Sequence, residues 1–234
     1  MPAKKAAFAA EVQSAIEWLE NNKSEKILNG LPRYGITGPT ANQAIGVAMS
    51  DIQRLAKTLG RRHELASALW AAGGYEPRML ACYVADPVEL SAAQMDKWCR
   101  DFDNWAICDT ACFKLFDQSP HAWIKVEQWS QRKEEFVKRA AFALLASLAL
   151  HDKKAPDKKL LGGLTLIEHA ADDERNFVKK GVNWALRSIG RRNGSLNEAS
   201  IEVATRLAAR KEAAPRWIGK DALREFAKLR AKRE

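Results

Sequence analysis

The chain is poor in the residue patterns that build metal centres, disulfide frameworks and membrane spans. Its four cysteines, Cys82, Cys99, Cys108 and Cys112, follow no CxxC zinc pattern. Its four histidines, His63, His121, His151 and His169, have no ligand partner at the usual spacing, so they read as surface or structural residues, and neither metal nor cofactor is expected. There is no GxGxxG, no P-loop and no Ser-His-Asp constellation. No apolar run suits a signal peptide or a membrane span, so free thiols in the cytoplasm are the expectation, with Cys108 and Cys112 as packing thiols on one helix face. Alternating β-branched runs that would read as strands are missing too.

What is present is helical spacing nearly throughout. With 234 residues and 47% hydrophobic content the chain buries a substantial core without covalent staples. The apolar periodicity predicts helices over 5–22, 39–59, 62–72, 76–86, 91–101, 104–117, 120–131, 134–151, 157–171, 174–191, 196–211 and 217–231. Ser119-Pro120 and Ala155-Pro156 mark helix starts with proline at the first helical position, and Ser91 and Asp103 mark N-caps. Gly73-Gly74 and Gly162-Gly163 mark interruptions. One internal echo stands out: Phe136-Val-Lys-Arg-Ala-Ala-Phe-Ala-Leu-Leu-Ala-Ser147 aligns with Phe177-Val-Lys-Lys-Gly-Val-Asn-Trp-Ala-Leu-Arg-Ser188 at a spacing of 41 residues. That period belongs to HEAT or armadillo repeats. The expected architecture is therefore all-α, one domain over residues 1–234: a HEAT/ARM-like solenoid of stacked antiparallel helix pairs with a concave basic surface.

The charge is one-sided. Residues 1–120 carry 13 Lys+Arg against 14 Asp+Glu, a net of −1, whereas residues 121–234 carry 25 against 15, a net of +10. Such a surface is the footprint of a polyanion partner, because each phosphate neutralised releases counterions. The plain alternative is a solvated lysine-rich face. Lys153-Lys154 and Lys158-Lys159 form a basic loop that suits DNA backbone or solvent equally.

Trp105 and Asp109 are four residues apart, so on a helix an indole and a carboxylate share one face. Trp184 lies on a later basic helix, with Arg139 on a related helix between them; together they suggest a cationic sugar–phosphate site. Each has an ordinary reading as well. A lone helical aspartate is commonly an exposed or capping group, Trp105 and Trp184 suit a core, and Arg139 suits a structural ion pair. Trp18, Trp70, Trp98, Trp123, Trp129 and Trp217 are read as packing residues.

Over residues 31–193 the chain resembles the DNA alkylation repair family of HEAT-like repeat DNA glycosylases, the AlkD-like group. The resemblance lies in the order and spacing of Tyr34-Gly35-Ile36, Leu69-Trp70, Glu76-Pro-Arg-Met-Leu-Ala81, Trp105 through Asp109, Lys138-Arg139-Ala140-Ala141 and Trp184-Ala-Leu-Arg187. It implies excision of cationic N3- or N7-alkylated purines from double-stranded DNA; with no lysine placed beside Asp109 to form a Schiff base, the enzyme is expected to be monofunctional, and a monomer is expected. Carried over, it implies Asp109 as the catalytic aspartate, Trp105 and Trp184 as the two tryptophans around the lesion nucleotide, and Arg139 as a phosphate contact. Where the family often has two adjacent tryptophans before the aspartate, this chain has Asn104-Trp105-Ala106, a departure that bears on lesion range and rate.

The chemistry of these residue types agrees. An alkylated purine carries a positive charge and leaves readily, so the sugar needs the help; a fixed carboxylate stabilises the oxocarbenium-like C1′ and can orient water. Indole faces attract cations. Lys138, Lys179, Lys180, Arg187, Arg191 and Arg192 are expected to add positive potential beside Arg139 and hold the duplex. An open helical surface suits gripping the lesion nucleotide at backbone and sugar rather than in a deep pocket. Two rivals remain: a non-catalytic HEAT-repeat protein that binds damaged or branched DNA, and a HEAT-like scaffold for protein partners.

Overall fold

A computed structural model describes residues 2–231. Among the described residues there are thirteen α-helices and no strand, with one isolated bridge between Lys23 and Val47. The fold divides into two compact units, Met1–Pro120 and His121–Glu234. The border coincides with the step in charge, so the first unit carries a net of −1 and the second +10. No helix of the described residues is long and apolar enough to cross a membrane.

Unit 1 holds α1 (Pro2–Asn21), α2 (Glu25–Leu28), α3 (Met49–Leu59), α4 (His63–Ala72), α5 (Tyr75–Val84), α6 (Ala92–Arg100) and α7 (Trp105–Lys114). Its hub is α5, which packs on α3, α4 and α7 and buries eight of its ten residues; a helix apolar nearly all round belongs inside. Unit 2 holds α8 (Ala122–Ser130), α9 (Glu135–His151), α10 (Asp157–Ala170), α11 (Asn176–Gly190), α12 (Gly194–Ala208) and α13 (Ala213–Arg230). Here α9, α11 and α13 pack in sequence as one layer, and α8, α10 and α12 lie along them as the other. The two halves of the 41-residue echo are α9 and α11, side by side, with the Phe136 and Phe177 rings 5.3 Å apart between centroids. The all-α, HEAT-like reading of the sequence holds.

Several local readings need correction. The helix expected over 39–59 begins only at Met49, because the Ile45, Gly46 and Val47 amides are held by the Glu76 carboxylate at 2.8, 2.7 and 3.2 Å instead of entering a helical ladder. Gly162-Gly163 does not interrupt anything: α10 runs straight through. A Cβ at Gly163 would lie 2.9 Å from the Leu145 side chain, so that glycine serves the close approach of α10 to α9. Pro156 is the N-cap of α10, and Pro120 precedes His121, the N-cap of α8, so neither proline occupies the first helical position. Gly73 and Gly74 do break the chain, at φ +81° and +79°. Ser91 caps α6 as expected, accepting the Gln94 amide at 3.2 Å. Of the tryptophans read as packing residues, Trp70, Trp98 and Trp129 are buried, Trp18 and Trp123 are half-buried, and Trp217 is 37% exposed.

Candidate functional site

The entrance of α7 is fixed by two neighbouring side chains. Asn104, not Asp103, is the N-cap: its side-chain oxygen accepts the Ile107 amide at 3.1 Å. Asp103 instead accepts the Thr40 amide at 2.6 Å, which draws the segment around Gly38 against the helix start. Gly38 has φ +112°, and a Cβ there would lie 3.0 Å from the Asp103 carbonyl oxygen. Only glycine allows that approach.

Trp105 is the first residue of α7 and is half-buried; its Nε1 donates to the Tyr34 carbonyl at 2.9 Å. Tyr34 ends the 3-10 turn Leu31–Tyr34, which Gly35 closes at φ +69°, and its side chain is 72% exposed. Asp109 lies one turn along α7, about 6 Å further on the helix axis, and is also half-buried. The opposite side of α7 buries Ala106, Ile107, Cys108, Ala111 and Cys112. Burial above all, then Cys108 and the Asp109 charge, push the Cys112 thiol well above its usual range; burial likewise raises Cys82. Neither thiol supplies a thiolate nucleophile at neutral pH. This corner of unit 1 thus offers a pinned indole, an exposed phenol ring and a carboxylate in adjoining positions.

In unit 2, Trp184 is half-buried on α11. Its preceding residue Asn183 donates to Asp221 Oδ2 on α13 at 2.8 Å, and Arg187, one turn on, reaches Glu225 at 2.7 Å and Asp221 at 3.7 Å. Arg191 also pairs with Glu225. Arg139 on α9 is 6% exposed, donates through Nη1 to the Phe177 carbonyl at 2.7 Å and lies over the Phe177 ring. Lys138 reaches Asp173 at 3.2 Å. Arg175, then Lys138, hold the Asp173 carboxyl down at about 2 against the opposing effect of burial. Arg192 bonds the Ala149 and Asp152 carbonyls at the end of α9, at 3.0 and 2.7 Å. Lys179 lies over the Trp217 ring, 5.2 Å from its centroid. Lys180 is exposed. The expected phosphate-binding set therefore separates into cations already engaged within the fold and cations, Lys180 foremost, that face solvent.

Sequence reading passed over Tyr34 as a site residue; the glycine after it signals a turn, and turns run over the surface. It also passed over Glu76, whose fully buried carboxylate organises the segment that reaches Asp103. Among the described residues no group of three or more His, Cys, Asp or Glu side chains converges to hold a metal ion.

The model of the family described as DNA alkylation repair enzyme matches residues 15–226. The chain belongs to that family. The match takes in both units, so the sequence around Asp109 and the sequence around Trp184 are both DNA alkylation repair family sequence. No curated protein matches the chain. Among solved structures, one described as "a new family of proteins related to the HEAT-like repeat DNA glycosylases with affinity for branched DNA structures" is similar at 20% identity and TM-score 0.74, over 92% of this chain and 94% of that one. At that identity the likeness establishes the HEAT-like fold of this DNA alkylation repair family member. A designed armadillo repeat protein in complex with the peptide (KR)4 is similar at 15% identity and TM-score 0.37, over 89% of this chain and 90% of that one.

Proposed function

We propose that this member of the DNA alkylation repair family is a monofunctional DNA glycosylase that hydrolyses the N-glycosidic bond of cationic N3- or N7-alkylated purines. The observation that carries the reading is the half-exposed Asp109, one helical turn from an indole whose edge is fixed by the Tyr34 carbonyl. The C1′–N bond breaks with its electron pair passing to the purine, which leaves neutral because it began cationic. Asp109 stabilises the oxocarbenium-like sugar and takes the proton of the water that adds to C1′, so the products are a free alkylpurine and an abasic site. An indole face such as that of Trp105, or of Trp184 in unit 2, stabilises a cationic group by roughly 0.5–2 kcal/mol per contact. Help that acts chiefly on the cationic state raises the rate rather than ground-state affinity. Tyr34, exposed beside Trp105, adds a second aromatic surface to that corner of unit 1. Lys180, exposed on α11, holds the duplex. Arg139, buried and bonded to the Phe177 carbonyl, serves as the brace of the seam between α9 and α11 rather than as a phosphate contact.

The test is release of 7-methylguanine from methylated duplex DNA. Asp109→Asn is expected to lose about 10²–10³-fold in rate while duplex affinity stays at the parent value. Release at the parent rate by the asparagine variant removes the assignment. Borohydride trapping of a covalent adduct would instead indicate a Schiff-base lyase step.

A second reading, binding of branched or damaged DNA without chemistry, draws on the net +10 of unit 2 and on the similar structure described as having affinity for branched DNA. It calls only for the cations. Absence of base release by the parent, together with preference for a four-way junction over a linear duplex, would favour it.

A further inference from the structure

We propose that the groove between α8 and α10 docks an acidic amphipathic helix of a partner protein. The two helices leave a groove of about 710 Å³ between them. Its floor is Leu145 from α9, and its walls are Trp123 and Val126 on α8 and Gly163 and Leu166 on α10. These are apolar groups, and they gain from apolar side chains, not from phosphates or sugars.

Gly162, on the same wall, points to a close-fitting occupant. It is an exposed residue inside a helix, and a Cβ built on it would meet nothing within 4 Å. Glycine there costs helix stability and, unlike Gly163, makes no internal contact that requires it. What it provides is a stretch of bare backbone on the groove wall, against which a second helix can lie closely.

The rim selects the sign of the partner. Lys158 and Lys159 are exposed on α10, and Lys159 Nζ stands 5.0 Å from the Trp123 ring centroid, over the groove. Lys153 and Lys154 are exposed on the preceding turn. The acids of that stretch are engaged: Asp152 accepts from Trp123 Nε1 at 2.9 Å, and Asp157 accepts from Asn193 and Ser195. The α10 rim is therefore basic, while Glu127 on the α8 wall is exposed and repels a phosphate chain. Ile124, Leu150 and Leu161, on α8, α9 and α10, are 47%, 50% and 44% exposed and add apolar surface to the same three helices. The matching occupant has large apolar residues at i, i+3, i+4 and i+7, with aspartate or glutamate on the flank that meets α10.

The full chain, immobilised, is used to select from a displayed library of helical peptides, and the selected peptides are measured by fluorescence polarisation. Acidic peptides with a leucine or aromatic stripe should be enriched. Gly162→Leu, which fills the groove from an open position, should weaken their binding by more than about tenfold while the melting temperature stays at or above the parent value. The Lys158→Glu, Lys159→Glu double variant should do the same, and serine in place of the stripe should abolish binding. Enrichment of no such sequence, or equal binding by the Gly162→Leu variant, overturns the proposal. Loss of duplex DNA binding in that variant assigns the groove to DNA, and loss of a concentration-dependent dimer assigns it to a second copy; either result also overturns it.

Discussion

Replacing Glu76 by glutamine changes little in volume, and the effect worked from the structure is large. The side chain is fully buried; Oε1 accepts the Gly46 and Val47 amides at 2.7 and 3.2 Å, and Oε2 accepts the Ile45 amide at 2.8 Å. In the glutamine variant the carbonyl can keep two of these bonds. The amide NH2 then faces the Ile45 N–H, donor against donor. One bond to a charged acceptor is lost, a buried N–H is left unpaired, and two bonds weaken from charge-assisted to neutral, in all about 3–5 kcal/mol. For a chain of this size that lowers the melting temperature by about 6–20 °C. Exchange should report the loss locally first: the Ile45, Gly46 and Val47 amides become faster than those of α5 in native-state hydrogen exchange. Because the same segment carries Thr40, whose amide binds Asp103 at the start of α7, base release should fall as well. If the variant melts within about 2 °C of the parent and the three amides exchange no faster, the carboxylate does not hold this segment and the reasoning fails.

Lys180→Ala should reduce the slope of log affinity against log salt for duplex binding by about 1 without altering the melting temperature, whereas Arg187→Ala, which leaves Glu225 with Arg191 and Asp221 with Asn183 but removes the cation between them, should cost about 1–2 kcal/mol in a denaturant titration; the reverse pattern would exchange their roles. Gly219→Ala places a Cβ 2.3 Å from the Ala204 carbonyl oxygen and the Ala208 nitrogen, backbone atoms that cannot rotate aside, so α12 and α13 must part. The expected loss is about 3 kcal/mol or more in urea unfolding. The Asp173 carboxyl sits at about 2 in the fold, below its ordinary 3.8, so its pairing stabilises the protein fully above the ordinary value and is lost as pH falls toward 2. That contribution is about 1–2 kcal/mol once the exposure of Arg175 is discounted, and Asp173→Asn should flatten this part of the acid limb.

The helices were legible where the apolar period is undisturbed, and α9 and α11 were legible twice over because they repeat one another. The misread start of α3 has a definite cause. Residues 39–48 carry spacing compatible with a helix, but a carboxylate about thirty positions away takes their amides, and local periodicity holds no trace of that. Gly162-Gly163 misleads in the other direction, since Gly163 signals contact with Leu145 rather than a break. On α7, the shared face of Trp105 and Asp109 follows from a spacing of four. The partner of Trp105 does not, because it is a backbone carbonyl, and every residue has one.

The cations of unit 2 show why a net charge is a poor guide to which side chains meet a phosphate. Arg139 with the Phe177 carbonyl, Asn183 with Asp221, Arg187 with Glu225 and Arg206 with Glu168 are all hydrogen-bonded at a sequence separation of 38 residues. In stacked helix pairs, residues about one repeat apart face each other across neighbouring helices, so this recurring interval marks groups that stitch one repeat to the next. Arg187 and Arg206 spend their charge there on acids of the same chain. Lys180 has Ile218 at that interval, Lys158 has Leu196 and Lys159 has Asn197, none of them an acid. The interval thus separates two groups that composition merges: Arg139, Arg187 and Arg206, whose removal loosens the stack, and Lys180, Lys158 and Lys159, which stay exposed.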